Sequence, residues 1–303
     1  MIDLHAHTTH SDGTLSPREL VSLAHRLGLS ALAVTDHDTS SACAEAAAVG
    51  RELGVRVASG IELSVEDDFG GTFARFHLLA YACDPSSRLL SQTVPFLQAE
   101  RDKRNHEVLQ VLAGLGMPLD FEELRALGGH QIGRPHIAQL LKQKGHVSSL
   151  QEAFDLYLDS SRPAYRPKVV LTARDAVTAI REAGGVSMWA HPCDSRRTRG
   201  KDGVASEKYS WAQFDSMLSV WIGWGLDGLE THYPTYNEAD IEWSRRRARE
   251  LNLLEGGGSD FHGARKANRL GDCGLSGPLP ASALERIEER AAQRKAAQCK
   301  AAL

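Results

Sequence analysis

Ile2-Asp3-Leu4-His5-Ala6-His7 is the stretch on which the fold turns. It reads as a short strand, and in a strand residues i and i+2 share a face. The His5 and His7 imidazoles can therefore reach a single metal ion. Far along the chain the spacing returns in Gly258-Ser259-Asp260-Phe261-His262, where Asp260 and His262 stand two apart. Between these ends lie five more apolar, β-branched-rich runs, giving seven predicted strands at 2–7, 31–37, 55–64, 76–82, 186–191, 226–232 and 253–260. Helical patterns follow several of them: 17–27 after a Ser16 cap, 42–53, 173–183 after a Thr172 cap, and 238–251. Strands alternating with helices predict a parallel sheet or barrel with right-handed crossovers. Seven of them predict an α/β fold, a seven-stranded (β/α) TIM-like barrel one unit short of eight.

One interval breaks the rhythm. From 86 to 159 there is no strand, only amphipathic patterns at 94–115, 121–127 and 135–144. This is too long for a βα connection and predicts an all-helical insertion capping the active site. The barrel would then be built from 1–85 and 160–303. The polar stretch 194–210, with Arg196, Arg197, Arg199 and Lys201, reads as a solvated loop or, more sharply, a mobile lid. The run 281–302 reads as a surface helix.

Composition sets the outer limits. The chain has 303 residues, 42% hydrophobic and 24% charged, enough for a large core, which excludes disordered and disulfide-scaffold classes. No apolar window approaches a membrane span, and no secretory leader is expected. Cys43, Cys83, Cys193, Cys273 and Cys299 form no C-x-x-C pair, which suits a cytoplasmic location. A net charge of −4 gives no support to a broad nucleic-acid surface or a membrane-binding one, and no protein partner is inferred. The unusual feature is 13 histidines.

Six of these fall on predicted strands or at their ends, together with three carboxylates: His5, His7, Asp12, His37, Glu62, His77, His191, Asp260 and His262. The carboxyl ends of barrel strands share one rim, so these distant residues converge. A mononuclear site uses three or four protein ligands, so a set of this size predicts two or three divalent ions, with Glu62 as the natural bridge. Mixed imidazole and carboxylate donors suit Mn²⁺, Fe²⁺ or Zn²⁺ better than Ca²⁺ or a thiolate-bound metal. His10, His25, His106, His130 and His146 have no such placement, and His232, though it closes the predicted strand 226–232, is not counted with the set. Arg245-Arg246-Arg247 and Arg265-Lys266 are left to solvent, and Cys193 reads as a small buried filler.

The ordered motifs Asp-Leu-His-Ala-His-Thr, Ser-Asp-Gly, Thr-Asp-His-Asp, Gly-Ile-Glu-Leu-Ser, Ala-His-Pro and Gly-Ser-Asp-Phe-His-Gly resemble those of the PHP (polymerase and histidinol phosphatase) superfamily. The resemblance runs from residue 2 to about 274. It implies a distorted barrel with a two- or three-metal phosphoesterase centre. Carried over by motif, His5, His7, Glu62 and Asp260 would hold one metal. Glu62, His77 and His191 would hold a second, and Asp12, His37 and His262 a third. Within the superfamily the chain is most similar to bacterial nucleoside-3′,5′-bisphosphate phosphatases, a group also described as 5′→3′ exoribonucleases on short RNA. The pieces that carry this are Glu-Arg-Asp-Lys-Arg-Asn (Arg101, Arg104), Gly-Arg-Pro-His-Ile-Ala (Arg134, His136) and Pro-Ala-Tyr-Arg-Pro-Lys (Tyr165, Lys168).

The basic residues make independent sense of that likeness. Arg101 and Arg104 sit at i, i+3 and share a helix face. Guanidinium groups bind phosphate bidentately, as a second phosphate not undergoing cleavage requires. Arg134 opens a helix whose N-terminus favours anions. The expected reaction is metal-assisted hydrolysis of a phosphate monoester by water acidified at the metals, with no side-chain nucleophile. Metal-bound water and His136 are both candidates for the proton donor to the leaving group. The expected partner is a small nucleotide or short RNA. Two rival readings remain: a phosphatase of histidinol phosphate or a cyclic sugar phosphate, and a metal-dependent amidohydrolase sharing the architecture.

Overall fold

The structure, a computed structural model, describes residues 1–69, 72–128, 131–199 and 205–301. Each of the seven predicted strands appears, joined in one sheet: β1 (Ile2–Asp3), β2 (Ala31–Val34), β3 (Arg56–Phe69) and β4 (Thr72–Tyr81) come first. A short β5 (Leu171–Thr172) pairs with β3, and β6 (Val186–Trp189) continues the main sheet. A separate hairpin of β7 (Arg197–Arg199) and β8 (Ala205–Glu207) precedes β9 (Gly228–His232) and β10 (Leu254–Gly257). The main order is β1-β2-β3-β4-β6-β9-β10. The ends of this path approach each other: Leu4 N–H donates to Gly257 O at 3.1 Å, His7 N–H to Phe261 O at 2.9 Å, and Ala6 bridges Phe261 in parallel. Gly258 makes this approach possible, since a Cβ there would strike the His5 amide and the Asp3 carboxylate. The result is a distorted (β/α) barrel.

The predicted parallel order fails at one strand. β4 runs antiparallel to both β3 and β6. The reason is length: Phe69 pairs with Thr72, and a parallel crossover needs a dozen residues or more. β3 also runs past its expected end at 64, so the hairpin projects beyond the rim.

Eleven α-helices are described among these residues. On the barrel lie α1 (Pro17–Arg26) and α2 (Cys43–Leu53). Next come α3 (Val94–Gly114), α4 (Phe121–Gly128), α5 (Arg134–Gln143) and α6 (Leu150–Ala153). The barrel resumes with α7 (Ala173–Glu182), α8 (Pro192–Ser195), α9 (Trp211–Trp224), α10 (Glu238–Glu250) and α11 (Ser282–Ala301). Helix starts follow their caps: Ser16 accepts from Glu19 N–H in a capping box, and Thr172 accepts from Asp175 N–H. Each then buries one stripe, Leu20, Val21 and Ala24 in α1, and Ala176, Val177 and Ile180 in α7. β2 and β6 are buried throughout, as strands covered on both faces must be.

α3 to α6 have an apolar cluster of their own, including Val108, Leu112, Leu124, Ile137, Leu141 and Leu158. α11 does more than lie on the surface. Ala283, Leu284, Ile287 and Ala291 pack with Ile2, Met188 and Leu254, covering the end of the barrel where the parallel strands begin. Arg290 and Arg294 hold Asp227 from the same helix. The stretch 194–210 is pinned rather than solvated in its described parts. Arg196 is buried, pairs with Glu207 at 2.7 Å and lies over Trp211, and Arg197 pairs with Asp240. Lys201 lies outside the described residues.

Candidate metal centre and substrate cleft

Strand ends deliver the ligands. His5 and His7 follow β1, His37 follows β2, His191 follows β6, and Asp260 and His262 follow β10. Glu62 and His77 lie within β3 and β4, side by side at the rim. Glu62 is central. Its Oε2 stands 2.9 Å from His37 Nδ1, 3.2 Å from His7 Nε2 and 3.4 Å from His5 Nε2. Its Oε1 stands 2.9 Å from His77 Nδ1 and 3.1 Å from His191 Nε2, and those nitrogens are 3.2 Å apart. Asp260 Oδ1 approaches His7 Nε2 at 3.3 Å and His5 Nε2 at 3.5 Å. Asp12 meets His262 Nε2 at 3.2 Å, with His7 and His37 at 3.8 Å.

Ligands at roughly 2.0–2.2 Å from a common ion stand about 3–3.5 Å from each other. Among the described residues three donor groups cluster tightly enough to hold ions: His5, His7, Glu62 and Asp260; His7, Asp12, His37 and His262; and His37, Glu62 and His77. His191 adjoins the last through Glu62 and His77. The decisive feature is what these atoms lack. His5 Nε2, His7 Nε2, His37 Nδ1, His262 Nε2 and Glu62 Oε2 are buried and, although they stand close to one another or to Asp12 and Asp260, none makes a hydrogen bond of good geometry. Leaving a buried polar atom unsatisfied costs about 1–3 kcal/mol, and here five of them face one another. Divalent cations would satisfy all of them, so the residues fit the group the chemistry requires.

A ring of outer partners aims these ligands. Buried Glu230 takes His5 Nδ1 at 3.0 Å with one oxygen and accepts the His191 N–H at 2.6 Å with the other. Asp260 Oδ2 accepts from Tyr233 OH at 2.7 Å and from Lys266 Nζ at 2.6 Å, which turns Oδ1 toward His5 and His7. Asp36 accepts from the Thr8 N–H and hydroxyl, both at 2.7 Å, and from Ser11 at 2.6 Å, fixing the loop that carries Asp12. The corners are strained: Asp38, His191 and Asp260 have φ of 50°, 31° and 50°. Non-glycine residues enter that region at a cost of about 1–3 kcal/mol each, and here the neighbouring hydrogen bonds hold them there.

The metal-free electrostatics show the same demand for positive charge. Burial opposes ionisation of Glu62, yet His37, His77 and His5 hold its carboxyl well below the usual range. Asp12 and Asp260 are likewise held low against burial, by His37 and by His5 respectively, with further histidines contributing. Burial also lowers imidazole basicity, but Asp260 and Glu62 outweigh it at His7 and push that ring up to about 9. At His77 and His262 burial prevails and both fall to about 4. Some rings carry protons and others do not, a compromise that cations replace.

Beside this rim opens a cleft of about 180 Å³, faced by Asp12, His37 and His77 on the barrel and by Arg101, Arg104, Arg134 and His136 on the helical side. Lys168 and Gln131 complete it. Arg101 and Lys168 both reach Asp38 Oδ2, Lys168 at 2.6 Å. Arg104 is buried with its Nε unpartnered and only Asn105 Oδ1 at 2.7 Å on its Nη2. Burial and then Arg101, Arg134 and Arg75 push it down to about 10. Burial, with Arg101 nearby, also lowers Lys168 to about 8 despite Asp38. Arg134 is held by Leu158 O at 3.1 Å and lies 5.5 Å from the Tyr165 ring centroid. Four cations thus line one cleft beside the rim, and two of them share the Asp38 carboxylate, a demand for an anion.

A PHP domain signature matches residues 3–164. The chain belongs to the PHP domain family. It is 31% identical to a 5′-3′ exoribonuclease of Haemophilus influenzae, covering 86% of this chain and 89% of that one. It is 28% identical to a 3′,5′-nucleoside bisphosphate phosphatase of Chromobacterium violaceum, covering 92% of each. Among solved structures, one described as a metal-dependent phosphoesterase from Bifidobacterium adolescentis superposes with a TM-score of 0.79 at 31% identity, over 95% of this chain and 96% of the other. This PHP protein is a metal-dependent phosphoester hydrolase, and no described helix is long and apolar enough to cross a membrane.

Several residues of the PHP site went unread in the sequence. Lys266 and Arg265, assigned to solvent, belong to it: Lys266 holds Asp260, and Arg265 Nη1 stands 2.7 Å from His136 Nε2. Glu230 and Tyr233 had no motif to mark them, although a glutamate inside the buried strand Gly228–His232 was a signal. His136 Nδ1 faces the Gly133 N–H at 3.0 Å, so both ring nitrogens face donors, and burial and Arg265 lower the ring to about 4. Such a ring is neutral near pH 7, which weighs against its supplying the leaving-group proton. Of the other histidines, His232 is buried against Arg245, His106 stacks on Phe121, and His10 meets Ser41. His130 lies outside the described residues. Cys193 is a buried filler beside Tyr236. Arg245 and Arg247 are tied down, to Ser276 O and to Asp215.

Proposed function

We propose that this chain hydrolyses the 3′-phosphate of nucleoside 3′,5′-bisphosphates, with 5′→3′ trimming of short RNA as an extension of the same chemistry. The observation that carries this is the pairing of a metal-ligand rim with four cations, Arg101, Arg104, Arg134 and Lys168, across one cleft. A substrate with two phosphates matches two separated anion sites; a simple monophosphate matches only one. The named activities of the Haemophilus and Chromobacterium relatives point to the same substrate class. The helical segment 86–159 serves as the cap that carries most of the cationic side, and 1–85 with 160–303 as the barrel.

His5, His7, Asp12, His37, Glu62, His77, His191, Asp260 and His262 would hold two or three divalent ions, Mn²⁺ suiting the oxygen and imidazole donors best. Bound there, the ions supply a nucleophilic oxygen at neutral pH and neutralise the phosphoryl group. The chain's own contribution is orientation. Glu230, Tyr233 and Lys266 keep the ligands aimed, and the cap cations hold the phosphate that is not cleaved, converting remote binding into alignment. Tyr165, beside Arg134, offers a ring near the nucleoside end.

The test is phosphate release from 3′-phosphoadenosine 5′-phosphate by metal-loaded protein. Asp260→Ala and His191→Ala should abolish it while thermal melting remains cooperative. Full turnover by both variants after metal stripping would refute the mechanism.

A further inference from the structure

We propose that Asp38 is a positioning residue that sets the spacing between the cap cations and the metal rim, and thereby the spacing of phosphates the site accepts. The inference rests on the two-phosphate reading above and adds a residue to it. Asp38 is buried and sits at the corner after β2 with φ of 50°, next to His37. Every polar group it has is committed. Its N–H donates to Glu62 O at 2.9 Å, tying it to the central carboxylate residue of the rim. Its Oδ1 accepts the Ser64 N–H at 2.8 Å, and its Oδ2 lies 3.2 Å from the Ser64 hydroxyl. With the backbone and one oxygen thus fixed on the barrel, the other oxygen faces the cap. There it takes Arg101 of α3 and Lys168. Its carbonyl accepts Gln131 Nε2 at 3.0 Å from the segment before α5.

Long cationic side chains lose most of their rotamer freedom only when something fixes them. Arg101 and Lys168 face like charge from Arg104 and Arg134, so without a fixed carboxylate they would spread apart. A single carboxylate oxygen gathers the two, one from α3 within the cap and one from the segment just after it, at a point bonded directly to Glu62 of the rim. The carboxylate also competes with substrate for those cations. The two roles predict opposite signs: loss of a competitor tightens binding, whereas loss of a positioner weakens it.

The experiment is a double-mutant cycle of Asp38→Asn and Arg101→Gln in the metal-loaded protein, with metal content measured on each sample. Asparagine retains the oxygen that accepts from Ser64 and removes the charge. For 3′-phosphoadenosine 5′-phosphate, Asp38→Asn should lower kcat/KM about tenfold or more, chiefly through KM. The double variant should lose clearly less than the product of the two single losses, because Asp38 acts in part through Arg101 and keeps only its hold on Lys168 once Arg101 is gone. Fully additive losses, a lower KM, or loss of metal from Asp38→Asn would each overturn the proposal. Wild-type preference for the bisphosphate over adenosine monophosphate tests the underlying reading separately. If that preference is absent, the cycle is run on the best phosphoester found, and non-additivity with Arg101 still decides the role of Asp38.

Discussion

The rim and the cap of this cleft are both polar clusters buried against apolar cores, yet they are built by opposite means. The rim draws on strand ends, where sheet register dictates position: His37 bridges Glu62, and Ser64 pairs with His77. Its histidines lie on buried backbone, and outer carboxylates such as Glu230 lock them. The cap draws on long side chains from α3, α5 and the segment after them, and nothing in a local pattern fixes where their ends meet. They converge because an apolar cluster sets the helices and because Asp38 reaches up from the barrel. A site of the first kind is rigid and demands a particular ligand; a site of the second kind is tuned by charge.

Substitutions that strike the rim should therefore be the more severe. Glu62→Gln removes the carboxylate shared by five imidazoles, and metal content and phosphate release should both vanish. Glu230→Gln strikes one step out; metal affinity or turnover should fall about 10- to 100-fold, read by metal titration. A Glu230 variant as dead as the Glu62 variant would erase the distinction between ligand and orienter.

On the cap, Arg104→Gln should raise KM for a bisphosphate about tenfold while leaving metal content intact. Equal damage to metal binding would mean the two clusters are one. Lys168 sharpens the point through pH. Its pKa is lowered to about 8, so it is charged below that value and loses its proton above it. Because kcat/KM reports the free enzyme, selectivity for the bisphosphate should decline as pH rises through about 8, and Lys168→Arg should flatten the decline. The smallest effect belongs outside both clusters. The exposed Arg18–Glu52 pair should contribute no more than about 1 kcal/mol to stability and nothing to turnover.

The same contrast explains what could be read from the sequence. Strand-end histidines obey a period of two and a shared rim, so the barrel and the candidate donor residues that it brings together were legible in the sequence. The antiparallel β4 was masked by the alternation of strands and helices around it. Glu230, Tyr233 and Lys266 were not legible, because an outer partner is defined by the atom it turns and not by spacing. Lys266 lies just four residues beyond His262 in a run that reads as surface charge, and only the fold brings it back onto Asp260. Asp38 stood in plain view within Thr-Asp-His-Asp, but its role depends on Arg101 and Lys168 arriving from 63 and 130 residues away.

The most direct measurement is phosphate release by one metal-quantified sample from 3′-phosphoadenosine 5′-phosphate and from the matching 3′- and 5′-monophosphates. The expected result is two or three divalent ions per chain and a kcat/KM for the bisphosphate at least about tenfold above either monophosphate. Equal rates on all three substrates with the metals fully bound would contradict the pairing of rim and cap.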